Sequence, residues 1–337
     1  MDILSSKEYE YSYPSDPSYP SSQHQQQLIS IASELDASCA GTVVLDLETT
    51  KTWMMKSSSS SSDDDHCNNT TTTTDYPTVT VLNTTTFTAA KDIITKKRQG
   101  QHNDDANTNA NTNNDANVCC LNFASAKNPG GGFLGGSQAQ EESLARASGL
   151  YNCLLQAPTY YNTNRSACNS KSTLTRGIYE DLIIYSPNVP VFRNVNDELL
   201  EEPWVTSIIT APAPNRGAIM NNFKDKKLPS SQKKVERKKK DVELLIQEAF
   251  EVRIDMVLST AMNYGHRDVV LGAWGCGVFQ NDSRVIANLF KRSLMKESFK
   301  GAFDDVVFAV LDYRTGCPTF NAFYDVLSNF PEEEICS

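Results

Sequence analysis

The chain has 337 residues, room for one large domain or two ordinary ones. Apolar residues make up 39%, low for a globular protein, but the shortfall sits in polar tracts and the remainder is still able to bury a core. Lys and Arg number 31 against 41 Asp and Glu, a formal charge of −10 that argues against wrapping duplex nucleic acid in positive charge. A phosphate-bearing small ligand is not excluded, because backbone N–H groups hold phosphate without side-chain charge. The nine cysteines are odd in number and contain no CxxC pair, and His24, His66, His102 and His266 fall in no metal-ligand pattern, so neither a disulfide framework nor a structural zinc site is expected. The N-terminus lacks the basic and apolar regions of a secretory signal, and no stretch approaches the ~20 apolar residues of a membrane helix. The expectation is a cytoplasmic or nuclear protein with no membrane partner.

Residues 1–76 read as an N-terminal extension. Its first 26 residues are rich in Ser, Tyr, Pro and Gln, with no apolar period, and are expected to be disordered. LISIASEL and TVVLDL, within 27–55, suit a helix and a strand that dock on a larger body. The Ser, Asp and Thr runs of 56–76 read as a linker. The main domain is placed at 77–330, with a tail at 331–337. Within it TVTVLN (78–83) predicts a strand, and 84–97 a helix with Thr85 or Thr86 as N-cap. The Asn/Asp/Thr repeats of 99–117 predict a low-complexity insertion. VCCLNFA (118–124) predicts a buried strand, and 137–155 one amphipathic helix. Strands are predicted at 181–186, 189–193, 205–211, 268–274 and 305–312, and helices at 241–262, 283–297 and 319–327. Strands alternating with helices predict an α/β fold with a mixed sheet covered on both faces. The basic run KKVERKKK (233–240) reads most simply as a solvated helix start, with a nuclear-import or nucleic-acid patch as the sharper alternative.

Two glycine turns stand out, each between a strand and a helix. The first is Asn128-Pro129-Gly130-Gly131-Gly132; the second runs from Gly272 through Gly275-Cys276-Gly277-Val278 to Phe279. Glycine lets a backbone approach a phosphate closely, and the following helix presents free N–H groups. A single such turn is often only a tight connection; two in one domain favour a ligand. Neither matches a dinucleotide-binding or P-loop pattern. Glu141 and Glu142 open the helix after the first turn. An acidic helix start suits the helix dipole without any further role, yet cleavage of a glycosidic bond requires a carboxyl that protonates the leaving oxygen.

The segment LNFASAKNPGGGFLGGSQAQEESLARAS (121–148) closely resembles the catalytic segment of the microbial-type poly(ADP-ribose) glycohydrolases, a branch of the macrodomain fold. That pattern is three glycines, a short spacer and Gln-Glu-Glu; here the spacer is the seven residues 133–139. LGAWGCGVFQND (271–282) resembles the family's diphosphate loop, and IYSPNVPVF and ITAPAPN look like further family segments, so that the resemblance spans 77–328. It implies a macrodomain-like three-layer α/β/α fold with a central mixed sheet, and hydrolysis of the ribose–ribose O-glycosidic bonds of poly(ADP-ribose) to release ADP-ribose. Position by position, it implies that Glu142 is the acid and base, that Glu141 positions ribose hydroxyls, and that Gln140 completes the motif and supports the loop. Asn128 and Gly130, Gly131 and Gly132 would then surround the distal ribose, and Gly275, Cys276, Gly277 and Val278 would offer N–H groups to the diphosphate. Phe279 would pack on the distal ribose.

The resemblance implies no metal and no cofactor, and poly(ADP-ribose) or ADP-ribosylated proteins as substrate; the net charge speaks against duplex nucleic acid, and a monomer is expected. The alternatives are a non-hydrolytic ADP-ribose-binding macrodomain and a mono-ADP-ribosyl hydrolase. Cys276 also invites a nucleophile reading, though no histidine lies near it in sequence. Trp204 and Trp274 read as core. The chain departs from the family in its short, interrupted stretch before the first domain strand and in the 99–117 insertion.

Overall fold

The computed structural model describes residues 22–59, 75–104, 117–170, 175–224 and 232–331. Its centre is a seven-stranded mixed sheet built from β1 (Val43–Asp46), β2 (Thr78–Leu82), β3 (Val118–Ala124), β4 (Leu182–Arg193), β5 (Leu199–Pro212), β6 (Asp268–Gly272) and β7 (Asp305–Ala309), in the order β1-β4-β5-β3-β6-β7-β2. β5, β3, β6, β7 and β2 are mutually parallel, while β4 and β1 continue the sheet antiparallel. Inner parallel strands bury both faces, which is why β3 and β6 are nearly unbroken apolar runs.

Helices cover both faces. Against one pack α1 (Ser22–Gly41), α3 (Thr86–Asp104), α4 (Gln140–Ala147), α5 (Leu150–Leu155) and α6 (Pro158–Ser170), through residues such as Leu35, Ile93, Leu144, Leu154 and Tyr160. Against the other pack α2 (Leu47–Ser59), α7 (Arg216–Lys224), α8 (Gln232–Asn263), α9 (Ser283–Leu294) and α10 (Pro318–Leu327), through Trp53, Ile219, Phe250, Phe290 and Phe323. The expected three layers around a mixed sheet are thus present. No described helix is long and apolar enough to cross a membrane.

Several expectations change in detail. The helix predicted at 137–155 is two helices. Ser148 is extended and bridges to Val191, and the Gly149 N–H donates to the Pro190 carbonyl at 2.9 Å, so the chain leaves the helical path to meet β4. A Cβ on Gly149 would lie 2.5 Å from the terminal methyl of Leu35 of α1, so a larger residue there would push that buried side chain aside. The two strands predicted at 181–186 and 189–193 are one strand with a bulge between Ser186 and Val189. Helix α6 is unexpected, because its Asn, Thr and Ser residues are weak helix formers, and burial of Tyr160 and Tyr161 holds it instead.

The helix and strand expected within 27–55 are present as α1 and β1, and they dock on the main domain across the expected boundary near Pro77. β1 pairs with β4 as the edge of the same sheet, and α2 reaches the far layer, where Trp53 meets Tyr264 at 6.1 Å. Helices also enter the expected low-complexity tracts, α1 from Ser22, α2 to Ser59 and α3 to Asp104. The rest of those tracts, at 1–21, 60–74 and 105–116, and the tail 332–337, lie outside the described residues.

Candidate active site

Parallel strands deliver the segments that follow them to one edge of the sheet, where open α/β folds place their ligands. Both glycine turns leave that edge, the first from β3 and the second from its neighbour β6.

Gln140 sets the position of the glutamates. Its Oε1 accepts the Phe123 N–H at 2.9 Å, and its Nε2 donates to the Leu121 carbonyl at 2.8 Å and to Thr86 Oγ1 at 3.0 Å. The first residue of α4 is thereby clasped to the end of β3 and the start of α3. Grouped with the substrate contacts as the residue that completes the motif and supports the loop, Gln140 has its amide engaged within the protein, because a strand end leaves backbone groups that need partners.

Glu141 and Glu142 are both buried, 4% and 9% exposed. Glu141 Oε2 accepts the Ser125 N–H at 2.6 Å, and its Oε1 accepts from Asn122 Nδ2 at 3.4 Å. Burial pushes its carboxyl up to about 8, helped by the neighbouring Glu142 charge and resisted by these hydrogen bonds. Glu142 Oε1 accepts the Gly132 N–H at 2.9 Å. Among the described residues Oε2 of Glu142 has no hydrogen-bond partner. The two carboxylates therefore have separate partners, yet both reach the first turn: a Cβ on Gly131 would collide with Glu142 Oε1 and lie 2.9 Å from Glu141 Oε2. Gly130 and Gly131 have φ of +64° and +62°, which suits glycine.

Asn128 is exposed, and its carbonyl accepts the Gly131 N–H at 3.0 Å. In the second turn Gly275 has φ +74°, and a Cβ there would lie 2.7 Å from Ala213 and 2.8 Å from Asn281 Nδ2. That Asn281 amide donates to the carbonyls of Pro214 at 2.9 Å and Gly275 at 2.8 Å, fastening the turn to the segment after β5. The N–H of Cys276, expected to face a ligand, donates to the Ala273 carbonyl at 3.1 Å, because the turn closes on itself there. Those of Gly275, Gly277 and Val278 donate to no backbone carbonyl among the described residues, and Val278 is 80% exposed. Phe279 packs beside Ala126, Cys168 and Tyr179, which joins the second turn to the segment leading into the first. The two turns thus lie side by side at one edge of the sheet.

Cys276 carries a thiol that burial pushes up to about 12, and a thiol held protonated is a poor nucleophile. Trp204 and Trp274 are core residues; Trp274 donates to the Ala211 carbonyl at 3.2 Å. The sequence reading missed several supporting residues. Arg253 is fully buried, donates to the carbonyls of Pro212 at 2.9 Å and Ile178 at 2.6 Å, and pairs with Asp181 at 3.0 Å, so it braces the end of β5. Asn122, whose amide also donates to Thr210 Oγ1 at 3.1 Å, and Ser125 hold Glu141. The available signal was a polar residue inside an apolar run: Asn122 in VCCLNFA and Arg253 in FEVRIDMVL. Among the described residues no three His, Cys, Asp or Glu side chains cluster as a metal site.

The family model for the microbial-type PARG catalytic domain matches residues 16–194. A search of curated proteins returned no match. Among solved structures, the chain is similar to poly(ADP-ribose) glycohydrolase from Thermomonospora curvata bound to the inhibitor ADP-HPD, at 34% identity and TM-score 0.64, over 87% of this chain and 88% of that one. A mutant of the same enzyme with one glutamate replaced by alanine is 33% identical, with TM-score 0.64 over 88% and 89%. The Deinococcus radiodurans enzyme in complex with ADP-ribose is 35% identical, with TM-score 0.65 over 87% and 96%.

Proposed function

The chain belongs to the microbial-type poly(ADP-ribose) glycohydrolase family, and from that membership we propose that Glu142 is the residue that cleaves the polymer. The chain is a hydrolase of the ribose–ribose O-glycosidic bonds of poly(ADP-ribose), and it releases ADP-ribose. The observation that carries the residue assignment is the convergence of Glu142 on the first glycine turn. Its Oε1 is fixed by the Gly132 N–H, which leaves Oε2 for the substrate.

The diphosphate is received by the N–H groups of Gly275, Gly277 and Val278, which explains how an acidic chain binds a dianionic unit. Gly130, Gly131, Gly132 and Asn128 surround the distal ribose, and Phe279 packs on it so that its anomeric carbon faces Glu142. The Glu142 carboxyl gives its proton to the departing ribose oxygen as the glycosidic bond lengthens. The carboxylate so formed takes a proton from water, whose oxygen adds to the anomeric carbon. Glu141, held by Asn122 and Ser125, orients ribose hydroxyls. With its carboxyl neutral below about pH 8, Glu141 places no negative charge of its own next to the diphosphate and the reacting sugar.

One observation favours a second reading. The carboxyl that burial lifts is Glu141, so Glu141 is a rival source of the proton. Both its oxygens are occupied, which disfavours the role. Incubating purified polymer with Glu142→Gln and Glu141→Gln decides between them. Loss of ADP-ribose release by about 10³-fold in Glu142→Gln, with ADP-ribose binding retained, supports the assignment. Full turnover in Glu142→Gln overturns it. Polymer that is retained but never shortened by the unmodified protein favours a non-hydrolytic reader. Comparing release from polymer and from singly modified protein tests mono-ADP-ribosyl hydrolysis. Residence in the cytoplasm or nucleus and a monomeric state complete the reading.

A further inference from the structure

The long helix α8 runs from Gln232 to Asn263, and its two ends have different surroundings. From Val242 onward Val242, Ile246, Phe250 and Ile254 are buried in the core. Its C-terminal end leads through His266 into the start of β6, so its N-terminal end points to the edge of the sheet from which the glycine turns emerge. The hydrogen bonds fix its level. Glu243 accepts from Arg216 Nε at 2.8 Å and Nη2 at 2.5 Å, and Arg216 Nη1 donates to the carbonyl of Gln280, the residue after Phe279, at 3.3 Å.

In the two turns of helix before Glu243, all of Glu236, Arg237, Lys238, Lys239 and Lys240 are exposed. At 1.5 Å per residue the helix extends roughly 16 Å beyond Glu243. Positions 233–240 hold six of the 31 basic residues of an otherwise acidic chain. Elsewhere helical arginines find carboxylates, as in Arg284–Asp325 and Arg292–Glu251. None of Arg237, Lys238, Lys239 and Lys240 forms an ion pair among the described residues. A merely solvated helix start needs charge, but not so strong an excess of one sign: four cations against one acid over 236–240.

We propose that this basic arm of α8 is a docking surface for the stretch of poly(ADP-ribose) that lies outside the cleft. The proposal rests on the polymer-cleaving reading of the site. The cleft receives one unit through backbone N–H groups, whereas every further unit brings two phosphates that those groups do not reach. A row of cations within about one Debye length, ~8 Å at physiological salt, holds such a strand and raises its local concentration at the cleft. The surface acts on long polymer and not on a substrate that ends at the cleft.

The test replaces Arg237, Lys238, Lys239 and Lys240 together by Gln in the full chain, because Gln keeps helix propensity and removes charge. Long polymer and the shortest cleavable oligomer are compared, with polymer retention and turnover measured separately. The expected result is weaker retention of long polymer and a KM raised about three- to tenfold at roughly 50 mM salt, a difference that vanishes toward about 0.5 M. kcat and the oligomer KM stay unchanged. Equal retention of long polymer by both proteins overturns the proposal, whatever the turnover. Weakened retention without turnover in either protein leaves the arm standing and removes the hydrolase reading instead. Duplex DNA of matched charge that binds as tightly as polymer, and is lost in the variant, overturns the proposal in favour of a nucleic-acid patch.

Discussion

Gly131 lies against the carboxylate of Glu142, so closely that the smallest side chain at Gly131 would occupy the place of Glu142 Oε1. The same residue has φ +62°, a conformation that costs an alanine roughly 1–2 kcal/mol. Gly131→Ala is therefore expected to lower Tm by a few degrees and turnover by at least about 10²-fold, because the acid moves away from its working position. Thermal unfolding and ADP-ribose release, measured on one preparation, check both effects. Unchanged turnover would show that the carboxylate tolerates displacement.

The raised Glu141 carboxyl links stability to pH. Its ordinary value is 4.5 and its value in the fold is about 8, so the folded protein holds a proton that the unfolded chain releases. The stabilisation is complete below about pH 4.5 and is lost as pH rises through about 8. Glu141→Gln has no such titration. Between about pH 5 and pH 8 the Tm of the unmodified protein is expected to fall relative to that of Glu141→Gln, and a constant difference across that range would contradict the assignment.

Gln140 is a clasp, and the prediction separates it from a substrate contact. Gln140→Ala leaves the Phe123 N–H and the Leu121 carbonyl without their partner, a loss of about 2–3 kcal/mol. Thr86→Val removes only the outer hydrogen bond, at about 1 kcal/mol. Denaturant midpoints are expected to order as unmodified, Thr86→Val, Gln140→Ala, with kcat falling in the same order. A Gln140→Ala protein of undiminished stability and raised KM alone would restore the substrate role.

Cys276 is expected to be dispensable as a nucleophile. With its thiol pushed up to about 12, alkylation at neutral pH is slow, and Cys276→Ala retains turnover within about twofold. Inactivation by iodoacetamide that ADP-ribose prevents, together with a dead Cys276→Ala, would reverse this conclusion.

Much of this arrangement was legible in the residue order. The apolar run of β3 and the glycines after it identify a strand and a tight turn without any tertiary knowledge, and Val118–Ala124 was placed to the residue. Other features depend on contacts distant in sequence. Nothing in SLARASGLYN announces that Ser148 must pair with Val191, so the single amphipathic period concealed two helices. The polar residues of α6 gave no apolar period, although Tyr160 and Tyr161 anchor it. In the site, the family resemblance singled out the glutamates, but not which of them burial would raise, because that depends on how the fold encloses each carboxyl, and the Asn122 and Ser125 hydrogen bonds pull Glu141 the other way.

The placement of β1 reaches beyond the cleft. Val43–Asp46 covers the outer margin of β4, a strand of twelve residues. Cutting the chain at Pro77 to obtain a smaller catalytic piece would strip that cover and bare a row of unpaired amides and carbonyls, a template for sticking to a second molecule. Recombinant fragments that begin there are expected to precipitate, whereas those that retain the first helix and strand should remain dispersed.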